Sequence, residues 1–184
     1  MNLKQNTIEK EIKKLTNKNI KLEIQHRKRK GVYSCCRTIE FNDTTDFNLV
    51  ELDGALAHEI VHIEEKHLIK LMLYIILLAL SIVGITLIIL TDIKVHLNLF
   101  CSLAIILTAL SIPGFILYIT LGRHFERVAD KKAAEKVGKV PMIRALEKIS
   151  TWKESDRLNL THDKPRKRIE NLKKLDLPDF IKLK

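Results

Sequence analysis

Two histidines and a glutamate in the stretch LAHEIVH, Leu56 to His62, have the types and spacing of a metal site. On a helix His58 and His62 are four residues apart, so both imidazoles project from one face and can bind one ion. Glu59 is one step round from His58, where its carboxylate can take a proton from a water activated by the metal. The pattern is short, and the histidines could also be ordinary polar residues on a juxtamembrane helix, so a third ligand decides between the two interpretations.

A candidate third ligand stands in RHFERVADKKAAEKVG, Arg123 to Gly138, which is helical by its apolar spacing. Glu126 and Asp130 lie four apart on one face of that helix. A catalytic zinc needs three protein ligands and an open position, so two histidines alone are not enough. Three rival ligands follow on the first helix, where later turns cannot easily fold back onto a metal held by earlier ones: Glu64, Glu65 and His67.

The positions of these residues match an antiparallel hairpin between the two helices. The pairs His62 with Glu126 and His58 with Asp130 are each centred on position 94, and the loop TDIKVH (Thr91 to His96) is centred on 93.5. In such a hairpin, positions equidistant from the turn lie side by side. We therefore predict Glu126 level with His62, and Asp130 level with His58, where a carboxylate could accept the other imidazole N–H and fix its tautomer.

The segment between the two helices has the composition of a membrane hairpin. Leu71 to Leu90 and Leu99 to Leu121 contain no charged residue, and each meets the roughly 20 residues that a helix needs to cross about 30 Å of hydrocarbon. A buried hairpin in a soluble core is the alternative, but core helices normally keep a polar stripe. We predict an integral membrane protein with two spans, at about 68–90 and 97–121.

The basic residues predict the orientation of this hairpin. Of the 32 lysines and arginines, 13 occur up to Lys70, one is Lys94 in the loop, and 18 follow from Arg123. The positive-inside rule then places both termini and the catalytic domain in the cytoplasm of a multi-pass cell-membrane protein. The net charge of +10 follows largely from this asymmetry. No nucleic-acid partner is expected, because HRKRK (His26 to Lys30) and PRKR (Pro165 to Arg168) lack interleaved aromatics, whereas anionic lipid explains them.

The catalytic domain is predicted to be split by the hairpin. Residues 1–67 would form its first part, 68–121 the hairpin and 122–184 its second part, and the two soluble parts together supply about 130 residues, enough for one modest core. The first 30 residues lack the apolar core of a signal peptide, so the first span is expected to act as the insertion signal.

The elements of the first part predict an α+β fold. Thr7 to Lys18 reads as a helix after a possible Thr7 cap, and Ile20 to Ile24 alternates like a half-buried strand. VYSCCRTIEF, Val32 to Phe41, reads as one or two further strands. A long helix is then expected from about Phe47 through the histidines toward the first span.

With these motifs in place, the chain resembles the HtpX-like family of membrane-bound zinc endopeptidases, which also includes CAAX prenyl proteases and small soluble minigluzincins. HEIVH, a hydrophobic hairpin and ERVAD carry the resemblance. It extends to LTHDKPRKRIENL (Leu160 to Leu172), in which His162 and Arg168 keep the family's spacing. Asp163 departs from the family, which usually has Pro after this histidine, and other membrane members have further spans before the metal motif.

The resemblance implies a zincin-like (minigluzincin) core with a small β-sheet and two metal-bearing helices. His58, His62 and Glu126 would bind one Zn²⁺ per chain, and Glu59 would be the general base. By the same resemblance Asp130 would orient His58 in the second ligand shell. The resemblance also implies that His162 would be a catalytic residue and that Arg168 would bind substrate.

We therefore expect an integral-membrane, zinc-dependent endopeptidase of the gluzincin type. Its partners would be the lipid bilayer and unfolded or membrane-associated polypeptides, which it would cleave at the cytoplasmic face. VYSCCRTIEF is the candidate sheet edge for an extended substrate. The alternative is a non-catalytic membrane anchor or scaffold whose structural zinc site only joins two helices, and a closed four-ligand site would favour that alternative.

Overall fold

The computed structural model describes residues 2–25, 31–35, 37–42, 45–92, 99–152 and 162–179. Within these ranges the chain is mostly helical with one small sheet. The elements in chain order are α1 (Asn2–Leu15), β1 (Lys21–Gln25), β2 (Val32–Cys35), β3 (Thr38–Asn42), α2 (Leu49–Glu64), α3 (His67–Asp92), α4 (Leu99–Val137), α5 (Lys139–Ser150) and α6 (Pro165–Lys174).

The three strands form one sheet in the order β1-β3-β2. β3 is the central strand, parallel to β1 and antiparallel to β2. The segment VYSCCRTIEF therefore supplies two strands that pair with each other, and β2 lies at a sheet edge. Together with the helices, the sheet confirms the predicted mixed α+β fold class.

Helix α2 runs through the middle of the core and is buried on two faces. One face packs Leu56 and Ile60 against α1 and β3, while the neighbouring face packs Ala57 and Val61 against α4, α5 and α6. Because small residues let helix backbones approach, the second face is rich in alanine. At Gly54 an added Cβ would lie 2.3 Å from the Pro141 carbonyl oxygen of α5, so only glycine fits there.

The start of α2 is fixed by its sequence. The Asn48 side chain accepts a hydrogen bond from the Glu51 N–H, and the Glu51 carboxylate accepts one from the Asn48 N–H, which makes a capping box. The predicted cap at Thr7 is wrong, because α1 begins at Asn2 and Thr7 lies inside it.

The predicted continuous helix from α2 into the apolar run is also wrong. α2 ends at Glu64, Lys66 has a φ of 55°, and α3 begins at His67. A residue with a positive φ ends the regular helix, because its backbone lies outside the right-handed helical region. Across the site, α4 is continuous for 39 residues and ends before Gly138, whose φ is 92°.

The two apolar runs lie on α3 and α4, which pack against each other. Within the described residues one stretch, His67–Gly84 on α3, is long and apolar enough to cross a membrane by length and composition. Most of its large apolar side chains are exposed, as are those of 115–117 on α4. The predicted turn at 91–96 lies mostly outside the described residues, so a membrane hairpin remains a prediction. Exposed apolar surface of this extent is typical of sites that contact a membrane or another protein.

Candidate active site

Three side chains from two helices converge at the centre of the molecule. The Nε2 atoms of His58 and His62 are 3.1 Å apart, and they lie 3.3 and 3.2 Å from the two carboxylate oxygens of Glu126. One donor atom from each residue lies within 4.8 Å of the others. The predicted register is therefore confirmed: Glu126 of α4 lies level with His62, although α2 and α3 are not one helix.

This cluster fits a metal ion by its donors and its charge. Three groups that can each give an electron pair to a metal face one another at 3.1 to 3.3 Å. Oε2 of Glu126 is buried and lies 3.3 Å from His58 Nε2 and 3.5 Å from Arg168 Nη1. Two carboxylates, those of Glu126 and Asp130, are buried here with one guanidinium, that of Arg168, so a metal cation would have anionic neighbours. The three clustered residues could therefore hold a metal ion.

The ionisation of Glu126 follows from its neighbours. Burial alone would raise the pKa of this carboxyl group. Hydrogen bonds with His162, His58 and His62 outweigh burial and hold its pKa well below its usual range. The side chain is consequently an anion, the form in which a carboxylate binds metal.

His58 is held from behind by a buried charged pair. Its Nδ1 lies 3.0 Å from Oδ1 of Asp130, and Arg168 Nε donates to the other Asp130 oxygen at 2.8 Å. Burial lowers the pKa of His58, but hydrogen bonds to Asp130 and Glu126 outweigh it and raise the pKa to about 10. Burial likewise opposes ionisation of Asp130, yet the Arg168 charge lowers its pKa to about 2. The His58 ring is thereby oriented with Nε2 toward the other two donors.

His62 is held from behind by another histidine. Its Nδ1 lies 3.0 Å from Nδ1 of His67, which is 4% exposed and stacks on Phe125. His67 contacts the ring nitrogen that points away from the cluster and is not one of the three clustered donors.

Glu59 borders a cavity of about 480 Å³ beside the three donors. The side chain is half-buried, in contrast to the fully buried positions on either side of it. The cavity reaches β2 at Tyr33 and Ser34 in one direction and the first turns of α3 in another. The Glu59 carboxylate and a cavity with space for a peptide chain therefore both adjoin the cluster.

The segment before α6 brings His162 to the same place. Its Nε2 lies 3.1 Å from Oε1 of Glu126, and the side chain is 41% exposed. Asp163, the residue that departs from the family pattern, accepts a hydrogen bond from Arg127 Nε at 3.0 Å and lies 3.3 Å from Lys167 Nζ. Asp163 therefore ties this segment to α4, immediately beside Glu126.

All the predicted site residues lie together, but in different environments. Glu59 and His162 border the cavity, whereas Arg168 is 8% exposed and is engaged by Asp130. Sequence reasoning set His67 aside because it assumed an unbroken helix. The polar run Glu64 to Lys66, which interrupts the apolar spacing between the histidines and the apolar run, was the available signal for a break.

Comparison with known proteins identifies the family. No curated protein and no solved structure matches the chain significantly. A family model does match: that of peptidase family M48, over residues 30–176, which include the three clustered donors, Glu59 and the segment from His162 to α6. A match over most of the chain shows the family, in agreement with the resemblance to HtpX-like and CAAX proteases. This protein belongs to peptidase family M48, a family of metallopeptidases.

Proposed function

We propose that this protein is an integral-membrane, zinc-dependent endopeptidase of the gluzincin type. The observation that carries the proposal is the cluster of His58, His62 and Glu126, with Glu59 beside it at the edge of a cavity. Two imidazoles and a carboxylate are a donor set typical of catalytic zinc, and they leave a fourth position for water or substrate. His162 is not part of the cluster, which supports an open site over the closed site of a structural anchor.

In this proposal each side chain has a distinct task. Zinc, when bound, supplies a Lewis acid that makes water acidic and polarises a peptide carbonyl. Glu59 accepts a proton from the attacking water and can return it to the departing amine nitrogen, because it stands next to the cluster without being one of its members. Its half-buried position supports this task, since the carboxylate reaches the cavity.

His162 and Arg168 are proposed to act at the two sides of Glu126. The imidazole of His162, whose side chain is 41% exposed, would donate a hydrogen bond to the oxygen that gains charge in the transition state. Arg168 borders the cavity, as a substrate-binding residue must, but its guanidinium is bound to Asp130. We propose that Arg168 acts mainly by fixing the Asp130 carboxylate behind His58.

An extended substrate can add to the edge of the sheet at β2. Asn42 N–H donates to the Gly31 carbonyl, and in an antiparallel pair this register leaves the backbone groups of Val32 and Ser34 pointing away from β3. Among the described residues no strand lies beyond this edge, which borders the cavity, so a peptide could bind there through backbone hydrogen bonds without sequence preference.

This edge can be tested by one substitution and its control. Ser34→Pro removes an outward N–H without removing a β2–β3 hydrogen bond, whereas Ser34→Ala keeps that N–H. We expect kcat/KM for an unfolded protein to fall about 10-fold with proline, the value of one backbone hydrogen bond, and to change little with alanine. Zinc content should be the same in both, and equal cleavage by the two variants would contradict the edge.

The proposed environment is the cytoplasmic face of the cell membrane. The exposed apolar side chains of α3 and the basic residues on both sides of the hairpin support spans at about 68–90 and 97–121, with residues 1–67 and 122–184 joined as one catalytic domain. Unfolded or membrane-associated polypeptides are the proposed substrates, and no nucleic acid is expected.

Labelling from outside the cell tests this topology. In a cysteine-free background, Lys94→Cys should react with an impermeant maleimide in intact cells, whereas Lys173→Cys on α6 should react only after permeabilisation. The opposite pattern would reverse the orientation.

The decisive experiment separates the enzyme from the structural anchor. The purified protein is assayed for zinc and for cleavage of an unfolded protein, alongside Glu59→Gln and the matched control Glu135→Gln, an exposed position on α4. We expect zinc in all three proteins and a loss of activity of at least about 100-fold in Glu59→Gln alone. Zinc in all three with no cleavage by any would favour the anchor.

A further inference from the structure

A second imidazole pair lies outside the metal cluster, between His62 and His67. The two Nδ1 atoms are 3.0 Å apart, and the rings meet edge to face, with centroids 4.9 Å apart at 80°. His67 is almost completely buried, and its other contact is a stack on Phe125, with the ring centroids 4.7 Å apart and the planes 13° apart. Phe125 directly precedes Glu126, so His67 links both metal-bearing helices.

The break between α2 and α3 creates this contact. On an unbroken helix, residues five apart differ by about 140° in direction, so His67 would point away from His62. Instead, the Glu65 N–H donates back to the Val61 carbonyl, Lys66 takes a φ of 55°, and α3 starts in a new direction. A lysine at positive φ is unfavourable by itself, and strained backbone of this kind is concentrated at functional sites.

The donors and acceptors assign the protons on both rings. Nε2 of His62 faces the other cluster donors, at 3.1 and 3.2 Å, so it must be free of a proton to bind a metal. The proton of a neutral His62 ring is then on Nδ1, and it donates to Nδ1 of His67. His67 consequently carries its own proton on Nε2 and acts as an acceptor.

We propose that His67 is the positioning residue of His62, accepting its Nδ1–H so that Nε2 is aimed, unprotonated, at the metal. This inference rests on the function proposed above. It gives His67 a role, although His67 is not one of the three clustered donors. The partner of a metal-bound histidine is normally a carboxylate, a backbone carbonyl or a water; here a buried neutral imidazole takes that place. If His67 served only to fill the core, any flat ring stacked on Phe125 could replace it.

Two substitutions separate positioning from packing. His67→Phe keeps a flat ring against Phe125 but has no acceptor. His67→Asn gives up the stack, yet its side-chain oxygen lies one bond from Cγ, as Nδ1 does in histidine, and it can accept the same hydrogen bond. A positioning residue should tolerate asparagine better than phenylalanine, and a packing residue should show the reverse.

The experiment measures metal binding on the full-length protein in detergent. Zinc affinity is determined by competition with a chromogenic chelator, the visible spectrum is recorded with Co²⁺ in place of zinc, and thermal unfolding is followed in metal-free buffer. We expect His67→Phe to bind zinc 10- to 100-fold more weakly, the usual cost of losing such a partner, with an altered cobalt spectrum and nearly unchanged metal-free unfolding. His67→Asn should recover most of the affinity.

The outcomes distinguish this inference from the function beneath it. If His67→Phe binds zinc as tightly as the wild type with the same cobalt spectrum, or if asparagine binds as weakly as phenylalanine, His67 is a packing residue and the inference is overturned. If the wild-type protein itself binds no zinc, the proposed enzyme fails and the inference fails with it.

Discussion

The two histidines of the metal cluster stand one turn apart on α2, but different chemistry holds each from behind. His58 meets Asp130, whose charge is balanced by Arg168, so its support is ionic and is assembled from α4 and α6. His62 meets His67, so its support is uncharged and comes from the next few residues of the chain. The orientation of His58 thus depends on residues of α4 and α6, whereas that of His62 depends on the turn after α2 and on the stack of His67 against Phe125.

The two supports should also differ in strength. A carboxylate makes the imidazole that it contacts a stronger metal ligand, because it stabilises positive charge on the ring. A neutral imidazole provides direction with less of this electronic effect. Damage to the ionic support should therefore lower both stability and metal affinity, and damage to the local support should lower metal affinity alone.

The largest effect is expected from Glu126→Gln, which touches both histidines at once. Losing the anionic ligand should lower zinc affinity at least about 1000-fold, about 4 kcal/mol, in chelator competition. This exceeds the 10- to 100-fold effect expected for either support. Glu135→Gln on the same helix should bind zinc like the wild type. A decrease of less than 10-fold in Glu126→Gln would place the metal elsewhere and remove the basis of the comparison.

Arg168→Met tests the ionic support. The substitution leaves Asp130 buried without its guanidinium, and removing one partner of a buried pair costs about 3 kcal/mol or more. Thermal unfolding in metal-free buffer should therefore occur at a clearly lower temperature than in the wild type. Arg166→Met, at an exposed position two residues earlier on α6, is the matched control and should change little. Equal unfolding of the two variants would mean that the ionic support contributes no stability.

Asp163→Asn tests whether the support of His58 depends on how α6 is attached. Burial raises the pKa of Asp163, but hydrogen bonds from Arg127 and Lys167 outweigh it and lower the pKa. A lowered pKa contributes stability above the unfolded value of about 4, and this contribution is lost as the pH falls through the folded value. Because Arg127 is half-exposed, we expect only about 1 kcal/mol at pH 7.

The measurement is thermal unfolding of the wild type and Asp163→Asn at pH 7 and at about pH 3. The difference between them should be present at neutral pH and should shrink in acid. Asp176→Asn, an exposed position past α6, makes the same chemical change and should show no difference at either pH. A difference between wild type and Asp163→Asn that stays constant with pH would show that the carboxylate charge is not what attaches the segment.

The same contrast explains what could be predicted from the sequence. The contact between His58 and Asp130 was predictable, because spacing places them at matching distances from a hairpin turn, and that argument needs only helical geometry. Arg168 was expected to bind substrate, and its contact with Asp130 was not predicted. The sheet was predictable from alternation in the strands. The same spacing argument could pair Glu126 with His62, because Glu126 and Asp130 both lie on α4, which is one continuous helix.

The local support was not predictable, because it depends on a conformation that its residue does not favour. Glycine or asparagine after Glu65 would have indicated a left-handed residue and the end of a helix, but the chain has Lys66. His67 meets Phe125 of α4 at this break, and Asp163 is likewise held by Arg127, which is distant in sequence, as well as by Lys167. Long-range contacts of this kind leave no periodic pattern to read.

The smallest effect is expected where the local support begins, at Lys66. Lys66→Gly accepts the same positive φ without steric cost, while the more flexible glycine loses more entropy on folding, so stability should change by less than about 1 kcal/mol. Zinc affinity should remain within about twofold of the wild type, because His67 keeps its place.

Lys66→Val is the informative partner of Lys66→Gly, since a β-branched residue strongly disfavours positive φ. It should straighten the junction, turn His67 away from His62 and lower zinc affinity about 10-fold, the lower end of the range for a lost partner. If the Lys66→Val and Lys66→Gly variants bind zinc equally well in chelator competition, the backbone break does not position His67. The supports of His58 and His62 would then differ less than their contacts indicate.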